Sequence, residues 1–493
     1  MKKFLVISVG LMGAIIVGLL ITISMLDLNQ YKPKLQKAVK QASGYDLNID
    51  GDIKISFSPV GLSIKDVKLA VPNKKEFVKF DKFGVAVELL PLLSQEFKVK
   101  YIVLSNLDLT IKKDKNGKFN YEVKLPNKDE VSKSKKDEKT SKDEKSGLPL
   151  VNVAEVRLEN ANISFVDEVA KSQALVKNIN VVINDISLDS TKEDLKALAL
   201  KAKVDINKIT YNKYNVDNIS LNFALKDAIA NLSSMTYTIF GSNASANAKV
   251  DMSKKIAKVE FEELIPNLKL ENFSKEILEN DLLKGVVNSK LKVSFRGLDE
   301  LSAKKSLNGY MLLDGKGVGI QGYDIDKIVK SYNDLKSGDL KKTGASFLSS
   351  ALENSANGKD PLDSFKGGTT ALKHLHVKID FKNGVANLSD VALSSMKNRI
   401  AVKGSINLVN ESLKGVKVAI LDKKGCAKYF QGISGTISNP KGTSLKSDEV
   451  TVEQVEEVVG MISSLFGKSK KKAPEKKKEE NCKPFYSGVV KHP

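Results

Sequence analysis

The sequence predicts a mainly β protein with a few helices, set behind an N-terminal transmembrane helix. Three observations predict it. Apolar residues alternate with polar ones over several hundred positions, helical spacing returns in only a few short stretches, and Phe4 to Leu26 is apolar apart from Ser8, Thr22 and Ser24. A chain of 493 residues suffices for about two to four ordinary domains or for one large extended β architecture.

The apolar run comes first. At about 1.5 Å per residue it extends roughly 34 Å, enough to cross a bilayer core of about 30 Å. No small-x-small cleavage signal follows Leu26, so residues 1–26 read as an uncleaved signal anchor and not as a removed leader. Lys2 and Lys3 place the N-terminus in the cytoplasm and the bulk of the chain across a single-pass membrane.

Residues 27–123 read as an N-terminal helix followed by a strand meander. Leu35, Ala38, Val39 and Ala42 fall at helical spacing among lysines, and Gly44 supplies a stop, giving a short basic amphipathic helix. The period then drops to two. Leu47 and Ile49, then Ile53, Ile55 and Phe57, then Leu62 and Ile64, then Val67, Leu69 and Val71 each share one face of a strand. Phe83, Val85, Val87 and Leu89 repeat the pattern, as do Leu107, Leu109 and Ile111, with Gly51, Pro59, Pro72 and "KNG" at 115–117 as turns or bulges.

Residues 124–148 are lysine, aspartate, glutamate and serine with almost nothing apolar, and read as a disordered charged insert. Over 149–450 the strands resume. Short runs carry Asn or Asp at their edges, as in "NANISFVD", "NINVVIND" and "NISLNFAL", which reads as loose repetition of one strand-and-turn unit. Helical spacing interrupts at Leu264, Leu268, Phe273, Ile277 and Leu278, and again at Ile325, Ile328, Val329, Tyr332 and Leu335. Alternation returns from Leu375, with "KNG" at 382–384 as a turn. Residues 451–493 hold a helix with Val452, Val455, Val459, Ile462 and Phe466 on its apolar side, then a basic linker and a tail.

The net charge of +20 is almost entirely lysine: Arg157, Arg296 and Arg399 are the arginines, and tryptophan is absent. Bidentate base and phosphate recognition favours arginine with interleaved aromatics, so nucleic acid is not an expected partner. Cys426 and Cys482 read as a disulfide, with two free thiols as the alternative. His374 and His376 stand two apart, so both point to one face of a strand. With no further ligand cluster evident they read as surface or turn histidines, and no metal or cofactor is expected. No phosphate-cradling loop, nucleophile elbow or zinc-protease pattern is present, and the scattered carboxylates distinguish no catalytic pair; an enzyme is not expected.

The quantity of alternation is unusual for so few helices. A sheet with one apolar face must bury it against another layer, roll up on itself, or keep it for an apolar ligand. A closed sandwich or barrel is the ordinary alternative.

The stretch "LDLNQYKPKLQKAVKQASGYDLNIDGDIKISFSPVGLSIKDVKLA", with Ser43, Gly44, Gly51 and Pro59 at its punctuating positions, resembles the start of AsmA-like proteins. "VELLPLLSQEFKVKYIVLSNLDLTIKKDKNGKFNYE", "LNGYMLLDGKGVGIQGYDIDKIV", the series from "GGTTALKHLHVKIDF" and "ISGTISNPK" are similar to later segments of that family, in family order. The resemblance implies a periplasmic protein of the Gram-negative inner membrane. It also implies an elongated, twisted antiparallel sheet forming an apolar groove, related to bridge-like lipid-transfer proteins and capped at the membrane end by the first helix. The expected function is non-enzymatic phospholipid binding and transfer supporting outer-membrane biogenesis and lipid homeostasis, with phospholipid and the inner membrane as partners. Ile53, Ile55, Phe57, Leu62, Ile64, Val85, Val87 and Leu89 are the expected membrane-proximal lining. The alternative is a periplasmic scaffold or assembly factor for outer-membrane proteins, docking through the helix from Val452 and the segment after Cys482.

Overall fold

The computed structural model describes residues 27–57, 60–88, 98–122, 152–188, 192, 194–327, 329–330, 366–442 and 482–493. The expected anchor over 1–26, the charged insert over 124–148 and the helix from Val452 lie outside them. Among the described residues no helix is long and apolar enough to cross a membrane. The chain is mainly β and divides into two units, Met1–Tyr237 and Thr238–Pro493.

In the first unit a 3-10 turn, Leu28–Tyr31, leads into helix α1, Lys32–Ser43. Pro33 sits in the first turn, where a missing N–H costs nothing, and Gly44 ends the helix at φ 76° with its N–H on the Lys40 carbonyl. The anticipated stripe of α1 is mostly exposed: Leu35, Ala38 and Ala42 face solvent and Val39 is half-buried. Leu28, just ahead of the helix, is the residue that packs on the cluster of Ile49, Ile53 and Val67. The Asn29 side chain accepts from the Ile53 N–H at 3.0 Å and fixes the turn there.

The strands of this unit are β1 (Asp46–Ile49), β2 (Ile53–Phe57), β3 (Val60–Ala70), β4 (Glu76–Val87), β5 (Lys98–Ser105), β6 (Asp108–Lys113), β7 (Asn152–Asp167), β8 (Ser172–Leu188), β9 (Leu198–Tyr211), β10 (Tyr214–Lys226) and β11 (Ile229–Ile239). β1 and β2 lie end to end along β3, which pairs with β4. β5 and β6 lie end to end between β4 and β7, and β8, β9 and β10 follow antiparallel. The expectation of a wholly antiparallel sheet needs one correction, because both β5 and β6 run parallel to β7. Parallel neighbours require a connection of about a dozen residues or more. The stretch between Lys113 and Asn152, which contains the charged insert, supplies it.

A line of left-handed residues crosses this sheet. Asp66 in β3, Asn106 between β5 and β6, Asn160 in β7, Asn178 in β8 and Asn218 in β10 all have φ between 50° and 56°. They stand side by side. Asn106 donates to the Asp81 carboxylate at 2.8 Å, the Asn160 N–H to the Asn180 side chain at 3.0 Å, and the Asn178 N–H to the Asn162 side chain at 3.1 Å. At this seam the apolar spacing changes from two to three on every strand. Ile64 is followed by Val67, Phe83 preceded by Phe80, Leu104 followed by Leu107, Leu158 by Ala161, Ile206 by Ile209, while Val176 precedes Ile179 and Val216 precedes Ile219. On β3, β7, β8 and β10 and at the β5–β6 junction one residue at positive φ absorbs the extra position, as in a β-bulge, and returns the next apolar side chain to the same face; β4 and β9 make the same change of spacing without one. Packing agrees: Ile53 and Ile64, on one side of the seam, share a cluster with Ile49, Val67 and Phe80 on the other. The Asn-edged runs are therefore not strands ending in turns. They are long strands crossing a row of bulges, and Asn and Asp are the residues that tolerate this conformation best after glycine.

In the second unit β12 (Ser242–Asp251), β13 (Lys258–Lys269), β15 (Val286–Arg296), β16 (Asn308–Gly315), β19 (His374–Lys382), β20 (Val385–Ser394), β21 (Arg399–Asn407), β22 (Leu413–Leu421), β23 (Ala427–Gly435) and β24 (Pro440–Gly442) pair antiparallel in that order. β14 (Leu283–Lys284), β17 (Val318–Tyr323) and β18 (Lys366–Leu372) form a separate small sheet. The helices include α2 (Leu270–Ile277) and α3 (Glu300–Ser306), the latter capped by the Asp299 side chain, and residues 325–327 and 329–330 are helical, as the spacing from Ile325 predicts. Leu264 and Leu268, anticipated on a helix, belong to β13, where they pair with Lys290 and Val287; helix begins only at Leu270. The "KNG" turn is realised: Asn383 and Gly384 have φ 47° and 76°, as a two-residue hairpin requires.

The seam makes a testable demand. Asn178→Val, which places a β-branched residue at φ 51°, should cost about 1–2 kcal/mol, seen as a lower urea midpoint. Asn178→Gly should leave the midpoint nearly unchanged. A valine variant as stable as the parent would contradict the role given to the seam.

Candidate functional site

The register of the first unit assembles the alternating residues into rows. Ile55, Leu62, Val85, Ile102, Val156, Ile183, Ala202 and Phe223 are successive cross-strand partners from β2 to β10. Ile53, Ile64, Phe83, Leu104, Leu158, Val181, Val204 and Leu221 make the adjacent row on the same face. Beyond the seam, Leu47, Leu69, Val78, Leu109, Ile163, Val176, Ile209 and Val216 make another. Positions between the first two rows are Lys54, Ser63, Gly84, Val103, Arg157, Val182, Lys203 and Asn222, so the opposite face is mixed and carries the charges.

Most row residues are half-buried, with Ile53 at 6% exposure and Leu62 at 39% as the extremes in the first strands. Among the described residues no element packs broadly over the rows of the first unit: α1, α2 and α3 lie against β1, β13, β14 and β15, and the helical residues from Ile325 bond to Thr370, Ser395 and Asn398. Of the anticipated lining, Ile55, Leu62 and Val85 meet in one row and Ile53 and Ile64 in the next. Val87 pairs with Val99 across a register shift. Phe57 lies in β2 opposite Val60. Leu89 lies outside the described residues.

The second unit repeats the arrangement. Leu313, Val377, Val391, Val402 and Val418 form one half-buried row, and Leu375, Leu393, Ile400, Ile420 and Tyr429 the next. Here the opposite face is covered by the chain's own C-terminal tail. Ala392, Ala401 and Ala419, cross-strand partners, form a flat stripe on which Tyr486 and Val490 are buried. Small side chains on that face give the tail room to lie close.

The tail is held by a disulfide and by hydrogen bonds to the sheet, among them the Tyr486 N–H to the Gly425 carbonyl at 3.1 Å. Cys426 and Cys482 form a disulfide. The Tyr486 hydroxyl donates to Asp390, the Val489 N–H donates to the same carboxylate at 3.2 Å, and the Val490 N–H donates to the Tyr486 hydroxyl at 3.1 Å. Buried Arg399 donates to the Val490 carbonyl at 3.1 Å and the Asp422 carbonyl at 3.0 Å while facing the Tyr486 ring at 5.8 Å. Carbonyls and a π face thus stand in for part of the water that a buried guanidinium gives up, while Arg399 Nε is left without a hydrogen-bond partner. Burial, reinforced by the bond to Asp390, pushes the Tyr486 phenol up to about 12.

The two histidines expected on the surface or in a turn both lie in β19, His374 half-buried and His376 buried. His376 is buried at 7% exposure, and its Nδ1 lies 2.7 Å from Asp314 Oδ2; His374 Nε2 lies 2.9 Å from the same oxygen. Burial opposes ionisation of Asp314, but the bonds from His376 and His374 hold its carboxyl below the usual aspartate value. The spacing of the histidines was visible in the sequence; the carboxylate comes from β16, paired across the sheet from a position about sixty residues away.

The AsmA family model matches residues 1–203 and 185–391 of the chain. Protein AsmA of Escherichia coli (strain K12) is 29% identical over 107 residues, which make up 21% of this chain and 17% of that protein, so the match spans about one sixth of the relative's length. No solved structure matches the chain.

The tail predicts a pH dependence whose sign is fixed by Tyr486. The protonated phenol is the form that burial favours, so its contribution is complete below the ordinary tyrosine pKa of about 10. It is lost as pH rises from there to about 12. Hydrogen exchange of residues 482–493 should therefore accelerate across that window in the parent. In Tyr486→Phe it should already be faster at neutral pH and lack the Tyr486 component of the rise. Identical profiles for the two proteins would refute this.

Proposed function

Because the chain belongs to the AsmA family, we propose that it binds phospholipid on the apolar rows of its sheets and moves it by non-enzymatic transfer in the periplasm, in support of outer-membrane biogenesis. The observation that carries this reading is the continuity of the rows. Eight strands in register present uninterrupted apolar side chains, most of them half-buried, with no broad covering element among the described residues.

The energetics suit transfer. An acyl chain drawn through water loses about 0.8 kcal/mol for each methylene exposed. An acyl chain passing from bilayer to an apolar row stays in hydrocarbon surroundings and incurs little of that cost. Its head group can remain in water at the open side of the sheet. No bond is made or broken, so the reading requires no catalytic group. The anchor expected over residues 4–26 would hold the first strands at the inner membrane, where lipid enters.

The scaffold alternative assigned docking to the segment after Cys482. In the structure Tyr486 and Val490 of that segment are buried on the protein's own sheet, which favours the lipid reading for the described part of the tail.

The test is the lipid content of the full chain purified in mild detergent, read by mass spectrometry of extracted lipids. Leu62→Asp with Ile183→Asp puts two charges on the row that runs from Ile55 to Phe223 and should remove most of the bound phospholipid while circular dichroism stays unchanged. Lys203→Glu, on the opposite face, should retain it. A parent protein free of phospholipid, or equal lipid in a folded row variant, would overturn the proposal.

A further inference from the structure

We infer that Asp314, His374 and His376 form a binding site for one divalent transition-metal ion of the zinc class. The chain has three histidines in all, and two of them converge on a single carboxylate oxygen. They do so for a topological reason. His374 and His376 lie two apart on β19 and share a face, and β16 places Asp314 directly across from His376 in the register. The three ligand atoms, His374 Nε2, His376 Nδ1 and Asp314 Oδ2, all lie within 4.8 Å of one another.

Two imidazole nitrogens and one carboxylate are a ligand set that zinc accepts, with a fourth position left for water. A tetrahedral ion about 2.0–2.1 Å from each ligand needs ligand atoms roughly 3.3 Å apart. The nitrogens stand 2.9 and 2.7 Å from the oxygen, so seating an ion requires the side chains to part by a few tenths of an ångström on the order of the difference. The site is open on one side. His376 is nearly enclosed, but the Asp314 side chain is 39% exposed and that of His374 19%, which leaves a path for the ion and its water. The cross-strand neighbours of the histidines are Ser394 and Ala392, both small.

A carboxylate stands behind His376. Coordination through Nδ1 moves the His376 ring proton to Nε2, which lies 3.8 Å from Asp390 Oδ2, beyond hydrogen-bond distance, so a small shift of the ring is needed to bring the two together. A metal-bound imidazole with a carboxylate behind it is the recurrent way proteins orient such a ligand. Asp390 also accepts from Tyr486 and from the Val489 N–H. The ion would thus brace β16 against β19 and, through Asp390, the docked tail.

The experiment uses the full chain in detergent, freed of metal with a chelator, and titrates it with Zn²⁺ against a chromophoric competitor and with Co²⁺ by visible absorption. One equivalent should bind, with a Co²⁺ spectrum of low coordination number. His374→Ala and His376→Gln should each weaken binding by at least about tenfold, as loss of even an outer-shell partner does at known sites. His492→Ala should not. If His376→Gln fails to fold, His374→Ala decides, because its side chain is the less buried of the two. No saturable binding by the parent, or binding that persists in a folded His374→Ala chain, overturns the inference.

Discussion

A strand that bends must keep its apolar side chains on one face, and every apolar row in the first unit depends on how that is done. Side chains alternate strictly along a strand, so a single inserted residue would throw the remainder of each run onto the solvent face. The seam from Asp66 to Asn218 resolves this by inserting one extra position on each strand, at positive φ on β3, β7, β8 and β10 and at the β5–β6 junction. The rows on either side then form one surface. Without the seam, Leu69, Val78 and Ile163 would stand on the face opposite Ile64, Phe83 and Leu158, and the apolar surface would be divided between two sides of the sheet.

The second unit shows the complementary device. One face carries branched residues in rows, and the other carries the alanines over which the tail lies. A disulfide with a sequence separation of 56 holds that tail, and closing such a loop contributes roughly 4 kcal/mol on the chain-entropy model. The alanine face is thus occupied by the protein's own C-terminus, and the valine and isoleucine rows form the other face. The histidine–aspartate cluster lies on the tail's side of the sheet, next to the carboxylate that holds the tail.

Much of this could be read from the residues. Period-two alternation located β1 to β4, β6 and β19 to β22, the Asn-edged runs fell in β7, β8 and β10, Gly44 ended the first helix, and Asn383 with Gly384 made a hairpin. What escaped was long-range. Asn160, Asn178 and Asn218 looked like turn residues, since Asn at positive φ is as characteristic of a turn as of a bulge and only pairing distinguishes them. The spacing change from two to three, present at Ile64 to Val67 and again at Leu158 to Ala161, was the available signal. His376 seemed to lack a partner because Asp314 is brought to it by pairing of β16 with β19 across a distant connection. Leu264 and Leu268 mimicked a helical repeat because four-residue spacing also fits alternate positions of a strand.

The most direct measurement places a photo-reactive benzoylphenylalanine at Leu221, Asn222 and Phe223 in turn, in the full chain mixed with phospholipid vesicles, and weighs the adducts after irradiation. The account predicts phospholipid adducts at 221 and 223 and none at 222, because the two share the apolar face and the residue between them does not. Adducts of equal yield at all three positions, or none at 221 and 223, would contradict it.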